Sequence, residues 1–130
     1  MSQCLNAPMN SLDKATEMKR RTKSFAIRIV MLFRSLQRTP DAQPLGKQLL
    51  RSGTSVAANY RAVCRARSQA EFIAKMGVVV EEADETVFWL ELLGETGVVR
   101  QDRTQDLLIE ANELVRIFGA SLRTSKQSVK

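Results

Sequence analysis

The chain has 130 residues, 44% of them hydrophobic and 26% charged, with a net charge of +6, six glycines, three prolines and no histidine. This suits one domain with a dry core and leaves little for a second, and it excludes histidine-dependent triads and the His-bearing di-iron motif of some helical bundles. The charge is uneven: residues 1–67 carry 13 Lys/Arg against 3 Asp/Glu, and residues 68–130 carry 7 against 11, which suggests a polyanion partner or oppositely charged faces meeting between subunits.

Residues 1–16 show weak periodicity and are expected to form a flexible extension. The first helix is predicted from about Glu17 to Gln37, with Phe25, Ile29, Leu32, Phe33 and Leu36 on one face. Ile27, Val30 and Met31 widen that apolar zone and predict more than one neighbour. Thr39-Pro40-Asp41 ends the helix, because the residue before a proline disfavours the helical region.

The second helix is predicted from about Pro44 to Arg67, with Pro44 in the first turn, where its missing N–H costs nothing. Leu45, Leu49, Ser52, Val56, Asn59 and Val63 make one stripe, and Gly46, Leu50, Gly53, Ala57, Tyr60 and Cys64 the next. The small residues of the second stripe would let another helix approach closely, offsetting the roughly 1 kcal/mol that Gly53 costs a helix. Gly53, Ala57 and Tyr60 are therefore candidates for a subunit contact. Cys64 is expected to be a small buried thiol, and Cys4 lies outside the helical pattern; the two suggest neither a disulfide framework nor a zinc site. The polar Ser52, Thr54, Ser55 and Asn59 are expected to bond to nearby backbone or to third-helix carboxylates.

Ser68 and Glu71 have the spacing of a capping box and open a third helix reaching about Glu95. Phe72, Met76, Val79, Ala83, Thr86, Leu90 and Leu93 alternate spacings of four and three, the pattern of a bundle seam. Gly94 and Gly97 mark its end. A fourth helix is predicted from about Asp102 to Arg123, with Leu107, Leu108, Ala111, Leu114, Val115, Phe118 and Leu122 inward, and 124–130 as a flexible tail. Short links between four helices imply an all-α, antiparallel up-down four-helix bundle over 17–123. No apolar run has the length of a signal peptide or a membrane span, so a cytoplasmic location is expected.

Two charged stripes carry the functional reading. Lys47, Arg51, Thr54, Ala58, Arg61 and Arg65 recur along the second helix, and the first adds Lys19, Arg20, Arg21, Lys23 and Arg28. Either these residues track phosphates, or they pair with acids of the third helix within or between subunits. Gly77, Glu81, Asp84, Phe88, Glu91 and Glu95 form the third helix's outer stripe, where a phenylalanine among acids marks a subunit contact. The Glu81, Glu82, Asp84 and Glu85 cluster is read as a solvated or salt-bridged face rather than a metal site.

The run Lys47 to Ala62, KQLLRSGTSVAANYRA, together with Arg21–Val30, Ser68–Lys75 and Glu81–Leu93, resembles the bacterial four-helix-bundle proteins associated with intervening sequences in large ribosomal RNA genes. The resemblance covers about 19–123. It implies a four-helix bundle, commonly a homopentameric ring, with no established enzymatic activity and no cofactor. A more distant resemblance is to the accessory protein of diversity-generating retroelements, a basic pentamer that binds nucleic acid and a reverse transcriptase. Ala58 departs from the family, which often has glycine there; alanine loosens a close helix contact. The expectation is a non-enzymatic homo-oligomer, pentameric by resemblance, that binds RNA or DNA through Arg20, Arg21, Lys23, Arg28, Lys47, Arg51, Arg61 and Arg65. The alternative is an adaptor that docks an acidic partner or a co-encoded enzyme.

Overall fold

The computed structural model describes residues 11–128, and among them every regular element is helical. Four helices follow one another: α1 (Ser11–Arg34), α2 (Ala42–Val63), α3 (Gln69–Glu95) and α4 (Gln101–Gln127). α1 packs on α2, α2 on α3 and α3 on α4, whereas α1 and α4 approach each other only sparsely. No helix among the described residues is long and apolar enough to cross a membrane.

The periodic seams close into one interior. Leu49, Val79, Leu90 and Leu114, one or more from each of α2, α3 and α4, are completely buried, and Phe25 and Ile29 of α1 join them. Of the stripe that was expected to widen the inward face of α1, Ile27 and Met31 instead remain 54% and 56% exposed. They point away from both neighbours, because each lies two residues from the inward Phe25–Ile29 line and so falls on the opposite side of the turn.

The helix ends differ from expectation in ways that follow local chemistry. α1 begins at Ser11, inside the expected flexible extension of 1–16; residues 1–10 lie outside the described ones. α4 continues into the expected 124–130 tail, to Gln127. α2 starts at Ala42, where the Thr39 hydroxyl accepts from the Ala42 N–H at 3.2 Å, so Pro44 is the third helical residue and still needs no N–H acceptor. α2 also ends earlier than predicted, at Val63. The Ser68 side chain accepts from the Glu71 N–H at 3.0 Å. Glu71 reaches back to accept from the Arg67 N–H at 2.9 Å, one residue beyond the usual target. Gly97, at φ +78°, adopts the left-handed conformation that stops α3, and Val99 then turns back into the core.

Two predicted contacts fall inside the protomer. A Cβ at Gly53 would lie 2.9 Å from Cγ1 and Cγ2 of Ile29, so this glycine is what lets α2 close onto α1. Tyr60 is buried and tilts against Phe118 of α4 at 5.0 Å, and burial holds its phenol above the usual tyrosine range. Gly53 and Tyr60, expected at a subunit contact, are thus consumed by intramolecular packing, while Ala57 remains half-buried. Cys64 is exposed rather than buried, because it caps α2 after the last inward residue, Val63, where no opposing helix covers it. Ser52 is fully buried, with its hydroxyl 3.0 Å from that of Thr86 on α3, and Thr86 donates to the Glu82 carbonyl at 2.7 Å. Thr54 and Asn59 bond to the backbone of Leu50 and Ser55.

Candidate nucleic-acid interface

The eight cations expected to meet phosphate separate into distinct settings. Arg20, Lys23, Arg61 and Arg65 gather around a groove of about 560 Å³ between α1 and α2, and Lys19 joins them. The floor of the groove is Thr54, Ala57 and Ala58, and Cys64 closes one end. No carboxylate lines it. Helical spacing explains much of the assembly: Lys19 and Lys23 stand one turn apart on α1, Arg61 lies in the last turn of α2 and Arg65 in the turn that follows it, and the short floor residues leave the four long side chains standing as walls. Arg20 is tied to Glu17, with bonds of 3.0 and 2.7 Å that raise its pKa; the other four cations have no ion pair or hydrogen-bonded side chain among the described residues.

Arg21 and Arg51 are each ion-paired to carboxylates of a neighbouring helix. Arg21 donates to Glu110 at 2.7 and 2.8 Å and to Glu113, both on α4. These bonds push its pKa above the usual guanidinium range and hold the Glu113 carboxyl below its ordinary value. Arg51 donates to Glu82 at 3.2 Å, and to Glu85, across the α2–α3 contact. The acidic cluster of α3 is thus partly a counterion for α2, as the sequence suggested. Arg28 lines the cleft between α1 and α4, which also contains Glu17, Glu110 and Glu113, and Lys47 is exposed on α2 outside the groove.

Two more cations, Arg67 and Lys75, line a second cleft that shares Arg61 and Arg65. Sequence reasoning missed them as site residues because Lys75 sits in an otherwise acidic helix and Arg67 lies in the turn before it. The outer face of α3 is as predicted: Glu81, Asp84, Glu91 and Glu95 are exposed, none has an ion pair among the described residues, and Phe88 is 51% exposed. Phe88 meets Trp89 edge-on at 4.9 Å, and the Trp89 indole donates to Glu85 at 3.1 Å. Among the described residues no group of His, Cys, Asp or Glu is arranged to hold a metal ion.

Comparison with known proteins agrees with this architecture. The sequence pattern of the family described as 23S rRNA-intervening sequence protein matches residues 14–120. The chain is also similar to a crystal structure from Bacteroides thetaiotaomicron, of a protein with unknown function from the S23 ribosomal protein family. The two share 34% identity and a TM-score of 0.73, over 80% of this chain and 96% of that one. No curated protein is similar enough to match.

Proposed function

The chain belongs to the 23S rRNA-intervening sequence protein family, and from that footing we propose that it is a non-enzymatic, homo-oligomeric scaffold that holds nucleic acid by its phosphates. The observation that carries this reading is the α1/α2 groove, where Lys19, Lys23, Arg61 and Arg65 converge with no opposing carboxylate. Unpaired cations on two helices repel one another, and a polyanion relieves that repulsion while releasing its own condensed counterions. The family's tie to ribosomal RNA intervening sequences agrees with such a ligand.

The helices form an antiparallel up-down bundle in this proposal. The pairings that support it run in opposite senses along the α1–α2 and α3–α4 contacts: Gly46 lies against Phe33, and Gly53 against Ile29; Gln69 reaches Ser125, and Gly94 lies near Thr104. Copies meet through the outer face of α3, where Phe88 exposes an aromatic ring among unpaired acids, and the pentameric number comes from the family resemblance. Repetition of the groove around a ring multiplies weak phosphate contacts.

The test is binding of labelled RNA and DNA across a salt series. Affinity is expected to fall steeply, with the log–log slope growing by about 0.9 for each duplex phosphate neutralised. Binding that ignores salt, or that is absent at low salt, sinks the proposal. For the assembly, Phe88→Asp is expected to yield smaller particles by light scattering with unchanged helix content; particles of unchanged size would remove α3 from the contact.

A further inference from the structure

Arg61 and Arg65 line two clefts at once. On one side lies the α1/α2 groove with Lys19 and Lys23; on the other lies a cleft of about 530 Å³ toward α3, with Arg67 and Lys75. The two arginines therefore stand on a ridge, and the cations form a band that crosses α1, α2 and the start of α3 instead of following one helix. Glu71 is the one carboxylate lining either cleft, and it is engaged in closing the start of α3, accepting from the Arg67 N–H at 2.9 Å and pairing with its guanidinium at 3.7 Å.

Neither cleft has an aromatic side chain in its wall. Phe88 lies on the acidic face of α3, Trp89 is bonded to Glu85, and Tyr60 is packed on Phe118. Single strands held without sequence preference depend on bases stacked on aromatic rings. A double helix keeps its bases inside and presents the phosphates of both strands, at about one charge per 1.7 Å of axis, to a broad cationic surface.

We infer that the ligand is double-stranded nucleic acid, laid across α1, α2 and the start of α3. Lys19 and Lys23 hold one edge of its footprint, Arg67 and Lys75 hold the other, and Arg61 and Arg65 lie between. This rests on the phosphate-binding reading above and narrows it to a ligand class and a path.

The experiment is fluorescence anisotropy on the full chain with three probes of equal length: an RNA duplex, a DNA duplex of the same sequence, and an unstructured oligo-dT strand. At least one duplex is expected to bind about tenfold tighter than the single strand. Arg67→Gln with Lys75→Gln is expected to lower the salt slope by roughly one to two, with circular dichroism confirming an intact fold. Arg34→Gln with Arg38→Gln, on exposed cations outside both clefts, is expected to leave the slope unchanged. A single strand that binds as tightly as the better-bound duplex overturns the inference, as does a slope lowered equally by both double variants; in either case the phosphate-binding reading survives. If none of the three probes binds at low salt, both readings fall.

Discussion

α1 presents cations on both of its flanks, and the two flanks end in opposite chemical states. Toward α4, Arg20, Arg21 and Arg28 share a cleft with Glu17, Glu110 and Glu113, and the charges cancel. Toward α2, Lys19 and Lys23 face Arg61 and Arg65 across a groove that no carboxylate lines. The same residue types on one helix thus become structural on one side and available on the other. What decides between these outcomes is the neighbour: α4 brings acids to its contact with α1, and α2 brings more arginine. A cation that donates to two carboxylates has spent its donors and most of its field, whereas an unpaired one still has both to offer a ligand.

The strongest test of this contrast reverses charge in the open groove. Lys23→Glu with Arg61→Glu is expected to weaken nucleic-acid binding by about a hundredfold, ~2.7 kcal/mol, with thermal stability retained, since neither side chain is paired in the folded protein. Equal loss of binding on neutralising Arg21 would erase the distinction between the flanks. Next in size is Gly53→Val beneath the groove. Its side chain would drive α1 away from α2 at Ile29, costing about 1–3 kcal/mol and lowering the melting temperature by several degrees. A valine accommodated without loss of stability would show that the close approach is not tightly packed.

Arg21→Ala sharpens the other side of the contrast. Three bonds to α4 disappear at a seam where the helices otherwise touch little, for an expected loss of about 1–2 kcal/mol after allowing for solvent screening. The loss should depend on pH. Arg21 holds Glu113 below its ordinary value of 4.5, so the folded protein binds fewer protons there than the unfolded chain does. The stabilisation is complete above about 4.5 and fades as the pH falls through the lower, folded-state pKa. Urea denaturation of both proteins at neutral and acid pH should show the gap between them narrowing in acid; a constant gap would mean that the carboxylates of α4 are not its source. The smallest effect is reserved for Arg51→Gln. It loosens Glu82 and Glu85 at a half-exposed site, changes stability by less than about 1 kcal/mol, and leaves nucleic-acid affinity within twofold.

The interior is legible in the amino-acid sequence. Spacings of three and four along α2, α3 and α4 place Leu49, Val79, Leu90 and Leu114 on inward faces, and all four have no solvent exposure. The Ser68–Glu71 pair marks the start of α3, and Phe88 stands out as an apolar ring on an acidic stripe, because each of these facts involves residues within a turn or two of one another. Periodicity says which side of a helix faces inward. It does not say which helix faces that side, or at what height.

The fate of the charges depended on that missing information. Arg21 meets Glu110, 89 residues away, and Arg51 meets Glu82, 31 residues away; Arg61, on the same helix as Arg51, and Arg65, just past its end, face Lys19 and Lys23 with no ion pair among the described residues. Gly53 and Tyr60 went into the protomer's own packing, and Cys64 was left outside it, for the same reason. The sequence by itself determined four amphipathic helices and the core they share, since hydrophobic burial is satisfied by any apolar neighbour. Only the tertiary structure determined which cations remain free for a ligand, since pairing requires a specific opposite charge within about 4 Å, and that is set by how the helices rotate and slide against each other.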